Sequence, residues 1–419
     1  MRLVMGMALA AVMAPGAAIA SPLGEKLPDL LYAGTATAQR DAYATACDEG
    51  DAEACFGVGL IDLILTAEGF SQALYRHGAT APDMPAAAML LGIGEAQVAA
   101  SGNPDPEPLT YDGLRQVLDD FVTGLDQAQQ GFVLAAEFDD DFVLLIDPLR
   151  VRLDLNGDGT ASEGETLAQL LGDAIELPQG KSKDGRTAPV DTTIGFDRAD
   201  ALWFAGYTQI TAAPVDLLLA HDFSQFFDTA LHRVFPRAGL PMQDFSKPRG
   251  TLMMDAESDG FIADMIAAIH TASFPVEDRA RLAGVLERMR SVTALSRRNW
   301  EAILAETDDN RELVPSPTQT SLVPGMAVTQ EVVDAWMETL DTVEQILAGD
   351  LLIPHWRFRQ GFSLPAYFET ATETDLIMLL TGQGALPFLR DGPVADEQSF
   401  AAGNRVFGDN WPNFIVWFN

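Results

Sequence analysis

The stretch ATACDEGDAEACFGVGL, residues 44–60, contains both cysteines of the chain and the signals that end one helix and begin another. Residues 40–47 can form the end of a first helix, and Gly50 can adopt the left-handed conformation that terminates it. Asp51 is a favoured N-cap for a second helix that starts at Ala52. The spacing therefore predicts two helices that fold back on each other within this stretch.

The N-terminus has the features of a secretory signal peptide. Arg2 precedes an apolar run, a Pro-Gly pair breaks the run at 15–16, and the small-x-small sequence AIA follows at 18–20. The run is short for a membrane span, and no cysteine follows the cleavage site to carry a lipid. We predict that residues 1–20 are removed, that the protein is periplasmic or secreted, and that the mature chain has no membrane span.

Export determines how Cys47 and Cys55 are interpreted. In an exported protein a near pair of cysteines is most simply a disulfide. The pair lacks the C-x-x-C spacing of redox-active sites, which favours a structural role. Closing so short a loop should stabilise the fold by about 2.5 kcal/mol, because it restricts the unfolded chain.

The same segment resembles the cysteine-stapled helical hairpins related to tetratricopeptide repeats, in which an A-C-x-x-G-D-A-x-x-C pattern joins two antiparallel helices. The matching residues are Ala46, Cys47, Gly50, Asp51, Ala52 and Cys55. The resemblance extends over residues 40–77, and no further copy recurs at a period of about 34 to 40 residues. It implies one stapled hairpin, not a repeat array.

Beyond the hairpin, apolar residues recur at helical intervals between breakers, and few segments alternate as strands do. Asp197 can cap a long helix that contains Pro214. Another helix is expected to start after Thr329 and to end at Gly349. The expected fold class is mainly α, built of helical hairpins and amphipathic helices with a few short strands.

Two breaker-rich segments, 103–108 and 177–189, suggest how the mature chain is divided. We expect an N-terminal helical region with the cysteine hairpin at 21–102. A helical segment with an acidic loop should follow at 109–178. The remaining residues, 190–419, should form a mainly helical C-terminal domain.

The acidic loop is DLNGDGTASEGE, residues 154–165. Counted from its first residue, the oxygen-bearing residues at positions 1, 3, 5, 7, 9 and 12 are Asp154, Asn156, Asp158, Thr160, Ser162 and Glu165. A cation of calcium's size needs about six to eight oxygens, which alternate residues of a curled loop can supply. Gly159 at position 6 permits the sharp turn. The pattern resembles the EF-hand, which implies one bound Ca²⁺; the alternative is an acidic, solvated turn without a metal.

The flanks of this loop fit a helix, a loop and a helix. Asp147 and Pro148 have the pattern of an N-cap and a first-turn proline, so a short incoming helix is possible over 148–155. The same segment also alternates as a strand would. Ser162 and Glu165 have the spacing of a capping box before an exit helix.

EF-hands usually occur in pairs, and the eighth loop position carries a branched apolar residue that bridges to the partner loop. Here the eighth position is Ala161. The best second candidate, residues 255–266, has acidic residues in register but Ile266 where the bidentate carboxylate should stand. We interpret this segment as a turn that leads into a helix.

Composition limits the partners of the chain. With 61 acidic and 26 basic residues the formal net charge is −35, which repels nucleic acid and anionic lipid. Calcium is commonly abundant outside the cytoplasm, so even a weak site would stay filled and would stabilise rather than signal. The leading hypothesis is an exported calcium-binding protein with a structural or binding role, whose protein or small-molecule partner is unknown.

The alternative hypothesis is an envelope hydrolase. On one helix His221, Asp228 and His232 would share a face that could bind zinc or supply acid–base chemistry, although a solvated helix face has the same pattern. A cluster of arginines could hold an acidic ligand or pair with the protein's own carboxylates: Arg279, Arg281, Arg288, Arg290, Arg297 and Arg298. His355 is a further candidate. The chain has no G-x-S-x-G, H-E-x-x-H or G-x-G-x-x-G motif.

Overall fold

A computed structural model of the chain describes residues 21–80, 102–138, 142–171, 180–181, 187–188, 191–243, 251–322 and 327–418. The signal peptide expected at 1–20 lies outside this described part. Within it the chain is mainly helical, which confirms the expected fold class.

The helices are numbered in chain order: α1 Leu27–Ala33, α2 Arg40–Asp48, α3 Ala52–Arg76, α4 Tyr111–Glu137, α5 Leu167–Leu171, α6 Arg198–Leu219, α7 Ser224–Ala230, α8 Ala256–His270, α9 Arg279–Ala305, α10 Gln330–Ala348, α11 Leu364–Thr370, α12 Leu376–Thr381, α13 Ala401–Phe407 and α14 Trp411–Phe418. The strands are β1 Leu144–Ile146, β2 Gly180–Lys181, β3 Thr187–Ala188, β4 Ile194–Phe196, β5 Ser273–Pro275, β6 Gly361–Phe362, β7 Glu373–Asp375 and β8 Leu389–Arg390. The strands pair antiparallel as β1 with β4, β2 with β3, β5 with β7 and β6 with β8. These pairs are too short to form a core of their own, so the helices carry the packing.

The cysteine hairpin has the expected geometry. α2 ends at Asp48, Gly50 has a φ of 97°, and the side chain of Asp51 accepts a hydrogen bond from the amide of Ala54 at 2.9 Å. A disulfide joins Cys47 near the end of α2 to Cys55 in the first turn of α3. Both the helix boundaries and the disulfide expected from the sequence are therefore confirmed.

The long helices pack in series: α3 contacts α4, α4 contacts α6, and α6 contacts α9. Phe56 of α3 lies fully buried at the centre of the first core. Its ring lies 5.5 to 5.9 Å from the rings of Phe132, Phe142, Phe196 and Phe204. Burying such rings contributes about 1.5–3 kcal/mol each, so this cluster fixes the hairpin against α4, α6, β4 and the residues before β1.

Among the described residues α3 is the one helix that is long and apolar enough to cross a membrane by length and composition. Its most apolar window is 56% buried inside the protein. A core helix and a membrane-spanning helix have this composition in common, and here the apolar residues contact α2 and α4.

Two further helices agree with their sequence signals. Asp197 caps α6 by accepting from the amides of Ala199 and Asp200, and Pro214 lies inside that helix. Thr329 caps α10 through the amide of Val332, and Gly349 ends it with a φ of 84°. The capping rules thus located these ends because each depends on contacts between neighbouring residues.

Candidate calcium loop and a buried carboxylate cluster

The chain enters the acidic loop in an extended conformation. Asp147 accepts from the amide of Leu149 at 3.2 Å and caps a single 3-10 turn over Pro148–Arg150. Beyond it the two arms of the loop pair, because Arg152 and Thr166 form an antiparallel bridge and the amide of Leu153 donates to the carbonyl of Glu165 at 3.0 Å. The expected incoming helix is therefore one turn long. Beyond this turn the segment is extended, as the alternation of its apolar residues indicates, because an extended backbone buries Leu153 in the core below the arms.

The exit from the loop is helical, as expected. α5 covers Leu167–Leu171, and residues 172–179 lie outside the described part. The side chain of Glu165 accepts from the amide of Ser162 at 3.0 Å, but α5 begins only at Leu167, so this pair closes the loop and does not cap the exit helix as expected.

Within the loop, side chains fold back over their own backbone. Gly159 has a φ of 84°, the left-handed conformation that the sharp turn needs. The carboxylate of Asp154 accepts from the amides of Gly157 at 2.8 Å and Gly159 at 2.9 Å. The side chains of Asn156 and Asp158 accept from the amides two residues further on, at 2.8 and 2.9 Å. The first, third and fifth positions thus lie over the same turn.

The twelfth position closes the loop. One carboxylate oxygen of Glu165 accepts from the amide of Leu155 at 3.1 Å, and the other accepts from Ser162. Burial opposes ionisation of Glu165, but backbone donors from Ser162, Leu155 and Asn156 outweigh burial and lower its pKa. An ionised carboxylate turned toward the first loop residues is the group that calcium requires at this position.

The donor set fits a hard cation. All six expected residues, namely Asp154, Asn156, Asp158, Thr160, Ser162 and Glu165, carry side-chain oxygen and lie in the one loop. The tip of the loop is exposed, so an ion could enter from solvent. Oxygen-only donors favour Ca²⁺ or Mg²⁺ over zinc and copper.

Helix α3 supports the start of the loop, which the sequence did not indicate. The amide of Asp154 donates to Glu68 Oε1 at 2.8 Å, and Gln72 Nε2 donates to the carbonyl of Asp154 at 2.7 Å. Ser71 Oγ donates to the carbonyl of Leu155 at 3.2 Å. Burial, together with the charges of Asp154 and Glu165, raises the pKa of Glu68.

The second candidate loop, 255–266, is helical almost from its start. α8 begins at Ala256, and Asp255 accepts from the amide of Ser258 at 2.9 Å as an N-cap does. Asp259 accepts from the amides of Met253 and Met254. The expected turn is therefore only the residues before α8, and the helical backbone does not curl as a cation loop does.

The histidine stripe does not exist as a continuous helix face, which corrects the sequence interpretation. α7 covers only Ser224–Ala230, so His221 and His232 lie outside it. His221 is buried and lies within hydrogen-bond distance of Leu217 O at 2.6 Å and Thr374 Oγ1 at 2.7 Å. His232 lies 3.2 Å from Asp264 Oδ2. Before the helix the backbone pairs with the end of β5 instead, since His221 forms an antiparallel bridge with Val276 and the amide of Asp222 donates to the carbonyl of Pro275 at 2.8 Å. After the helix a 3-10 turn covers Leu231–Arg233.

The remaining hydrolase candidates also have structural partners. His355 Nε2 lies 3.1 Å from the carbonyl of Leu379. Arg281 pairs with Asp119 and Asp216, Arg288 with Asp126 and Asp216, Arg290 with Glu287, and Arg297 with Asp341 and Glu344. For these four arginines the pairing with the protein's own carboxylates is confirmed. The open cleft beside Arg281 and Arg288, about 730 Å³, is thus lined by paired charges.

A second acidic group lies at the start of α6. Asp197, Glu306 and Glu312 each present a carboxylate oxygen, and these oxygens lie within 4.8 Å of one another. Asp200 and Glu312 are 5% and 3% exposed. Among the described residues this is the one group of three or more histidine, cysteine or acidic side chains so close together.

Burial dominates the electrostatics of this cluster. Burial and the charge of Asp308 raise the pKa of Asp197 to about 6. Burial and the charge of Asp197 raise the pKa of Glu306 to about 9 and that of Glu312 to about 7. The pKa of Asp200 is also raised well above its ordinary range by burial and by Asp197. Without a cation, pKa values raised this far mean that the carboxyl groups of the cluster share protons near neutral pH.

The arginine on the same segment does not neutralise the cluster. Arg311 donates to the carbonyl of Thr193 at 2.6 Å and lies 3.3 Å from a carboxylate oxygen of Asp191. Polar donors do reach the cluster: the amide of Asn310 donates to Glu312 at 2.6 Å, and the side chain of Gln319 donates to Glu306 at 3.0 Å. The sequence predicts a capping role for Asp197 and contains no signal for the other members, because they come together only in the fold.

Comparisons of the chain with protein-family models, with curated proteins and with solved structures found no match.

Proposed function

We propose that this protein is an exported calcium-binding protein that holds one Ca²⁺ in the loop 154–165, where the ion has a structural role. The ligands are Asp154, Asn156, Asp158, Thr160, Ser162 and Glu165, with Thr160 acting through its backbone carbonyl. Residues 1–20 are the export signal, and the protein acts in the periplasm or outside the cell.

One observation carries the proposal: the carboxylates at the first and last loop positions turn toward the same stretch of backbone. Asp154 covers the turn through Gly157 and Gly159, while Glu165 reaches back to the amide of Leu155. An acidic, solvated turn does not require a carboxylate at the twelfth position that closes the loop. The inward set of oxygens supports a cation site over that alternative.

The disulfide supports the proposed location. Disulfides persist in oxidising compartments and are rare in the cytosol. Cys47 and Cys55 are joined in the hairpin, and the cysteine count of the whole chain is two. An oxidising, calcium-rich environment would keep both the disulfide and a weak calcium site occupied.

Calcium, when bound, would supply the positive charge that offsets Asp154, Asp158 and Glu165. The chain's own residues shape the site: Gly159 permits the sharp turn, and backbone amides lower the pKa of Glu165 and so favour its ionised form. Because the arms of the loop pair at Arg152 and Thr166, drawing the oxygens together would also tighten this pairing. The expected effect is added stability of the fold around the loop.

The test is calorimetric titration of EDTA-stripped mature protein with calcium, and separately with magnesium and zinc. We expect one calcium per chain with a Kd of roughly 10⁻⁴ to 10⁻³ M, and weaker magnesium binding. A protein that takes up no calcium, or that binds zinc more tightly, would contradict the proposal.

No specific observation favours the hydrolase alternative. His221, His232 and His355 have partners on different elements, namely Thr374, Asp264 and Leu379. Within the described part of the chain, the close group of potential ligands contains carboxylates and no histidine.

A further inference from the structure

In paired EF-hands a second loop supports the first, so a single loop needs another support. The residues that contact the start of this loop belong to one face of α3. Glu68 accepts from the amide of Asp154 at 2.8 Å, and Gln72 donates to the carbonyl of the same residue at 2.7 Å. Both polar groups of the peptide backbone at the first ligand are thus fixed by side chains of α3.

Ser71 adds a contact to the next residue of the loop. Its hydroxyl donates to the carbonyl of Leu155 at 3.2 Å. Leu155 is also the residue whose amide donates to Glu165 at 3.1 Å. Through Leu155, α3 is therefore connected to the last ligand as well as to the first.

The eighth loop position contacts the end of α1. Gly34 ends that helix with a φ of 67°, and a Cβ placed there would overlap the Cβ of Ala161. The small residue at position eight fits this close contact, where a branched residue that bridges to another loop would not. Arg152 continues the contact, since its amide donates to the carbonyl of Leu31 at 3.2 Å.

We propose that α3 and the end of α1 take the place of the second loop of an EF-hand pair. On this proposal, which rests on the proposed function, Glu68 and Gln72 are positioning residues. They hold Asp154 in the geometry that binds calcium and couple the ion to the disulfide-stapled hairpin. Pre-ordering the first ligand raises affinity because less conformational freedom is lost when calcium binds.

The test compares calcium titrations of Glu68→Ala, Gln72→Ala and the wild type. Each substitution removes one hydrogen bond from Asp154, so we expect about a fivefold rise in Kd for each. Glu68→Gln keeps an acceptor for the amide of Asp154 and should bind within about twofold of the wild type. This rescue separates positioning from a direct role of the Glu68 charge.

Gln116→Ala is the matched control. Gln116 lies exposed on α4, and its side chain donates to Asp120 on the same helix at 2.8 Å. The Kd of the Gln116→Ala variant for calcium should equal that of the wild type. Unfolding curves without calcium establish that each variant is folded before it is titrated.

A second measurement needs no variant of α3. In the wild type, saturating calcium should slow amide hydrogen exchange in the last two turns of α3 by about tenfold, and Glu165→Ala should abolish the effect. If the wild type binds calcium but Glu68→Ala and Gln72→Ala match Gln116→Ala, and exchange in α3 is unchanged, the inference is overturned while the proposed function stands. A wild type that binds no calcium overturns both.

Discussion

The loop 154–165 and the cluster around Asp197 both concentrate carboxylates, but the surroundings shift carboxylate pKa values in opposite directions. In the loop, backbone amides meet the carboxylates, and the pKa of Glu165 is lowered. In the cluster the carboxylates face one another, and the pKa of Glu306 is raised to about 9. The number of acidic residues therefore predicts little, because the donors around them and their access to water decide whether they carry charge.

Calcium in the loop and protons in the cluster should affect stability in different ways. Calcium in the loop would join groups that are already ionised, so its binding energy would appear as added stability. Protons in the cluster suppress charge that burial disfavours, so raising the pH should cost stability there.

The first prediction concerns Glu165→Ala. At calcium about 100-fold above its Kd, the wild type should gain about 2.7 kcal/mol in free energy of unfolding, and the variant should gain nothing. The reason is that Glu165 supplies both of its carboxylate oxygens to the ion. Differential scanning calorimetry with calcium and with EDTA measures the shift in Tm.

The control for this experiment is Glu163→Ala in the same loop. The side chain of Glu163 is 90% exposed and lies 3.5 Å from Arg152, outside the expected ligand positions. This variant should keep the full response to calcium. An equal loss in both variants would mean that net charge, not ligand geometry, governs the response.

The second prediction concerns Glu306→Gln in the cluster. Because the folded-state pKa is about 9 and the ordinary value is 4.5, this group stabilises the fold below pH 4.5, and that stability is lost as the pH rises toward 9. The amide mimics the protonated acid, so the variant should be more stable than the wild type at pH 8 by at least roughly 2 kcal/mol. At pH 4.5 the two should be equal.

Urea unfolding at both pH values measures this difference in metal-free buffer. Glu301→Gln, an exposed position on α9, is the matched control and should change stability by less than about 0.5 kcal/mol at either pH. A destabilised Glu306→Gln protein at pH 8 in the presence of a divalent cation would show instead that the cluster binds the ion. The cluster would then bind a cation as the loop is proposed to do, and the two groups of carboxylates would not differ in this respect.

The third prediction is the same substitution at Glu312, whose pKa is raised to about 7. The smaller rise means a smaller loss of stability between pH 4.5 and 8, so Glu312→Gln should add at least about 1 kcal/mol at pH 8, and less than Glu306→Gln adds. The amide oxygen can still accept from Asn310, which preserves the local hydrogen bond. Urea unfolding of the wild type and the variant from pH 4.5 to 8 tests this prediction. A gain in free energy of unfolding that does not change with pH would argue against ionisation of Glu312 as the cause.

The sequence by itself determined features that depend on near neighbours. The hairpin around Gly50 and Asp51, the caps at Asp197 and Thr329, and the mainly helical class all follow from local rules and are confirmed. The six candidate calcium ligands could be named for the same reason, since they lie within one loop. Their ion-binding role stays a prediction.

Only the tertiary structure decided what depends on contacts between distant segments. The incoming arm of the loop pairs at Thr166 because its leucines reach the core, so the short helix proposed there is reduced to one turn. The helix expected through 221–232 is reduced to Ser224–Ala230, because the backbone of His221 and Asp222 pairs with Val276 and Pro275, about 50 residues away in the sequence. Glu68 beside Asp154 and Glu306 beside Asp197 lie far from those partners in the sequence, and packing of the helices alone brings them together.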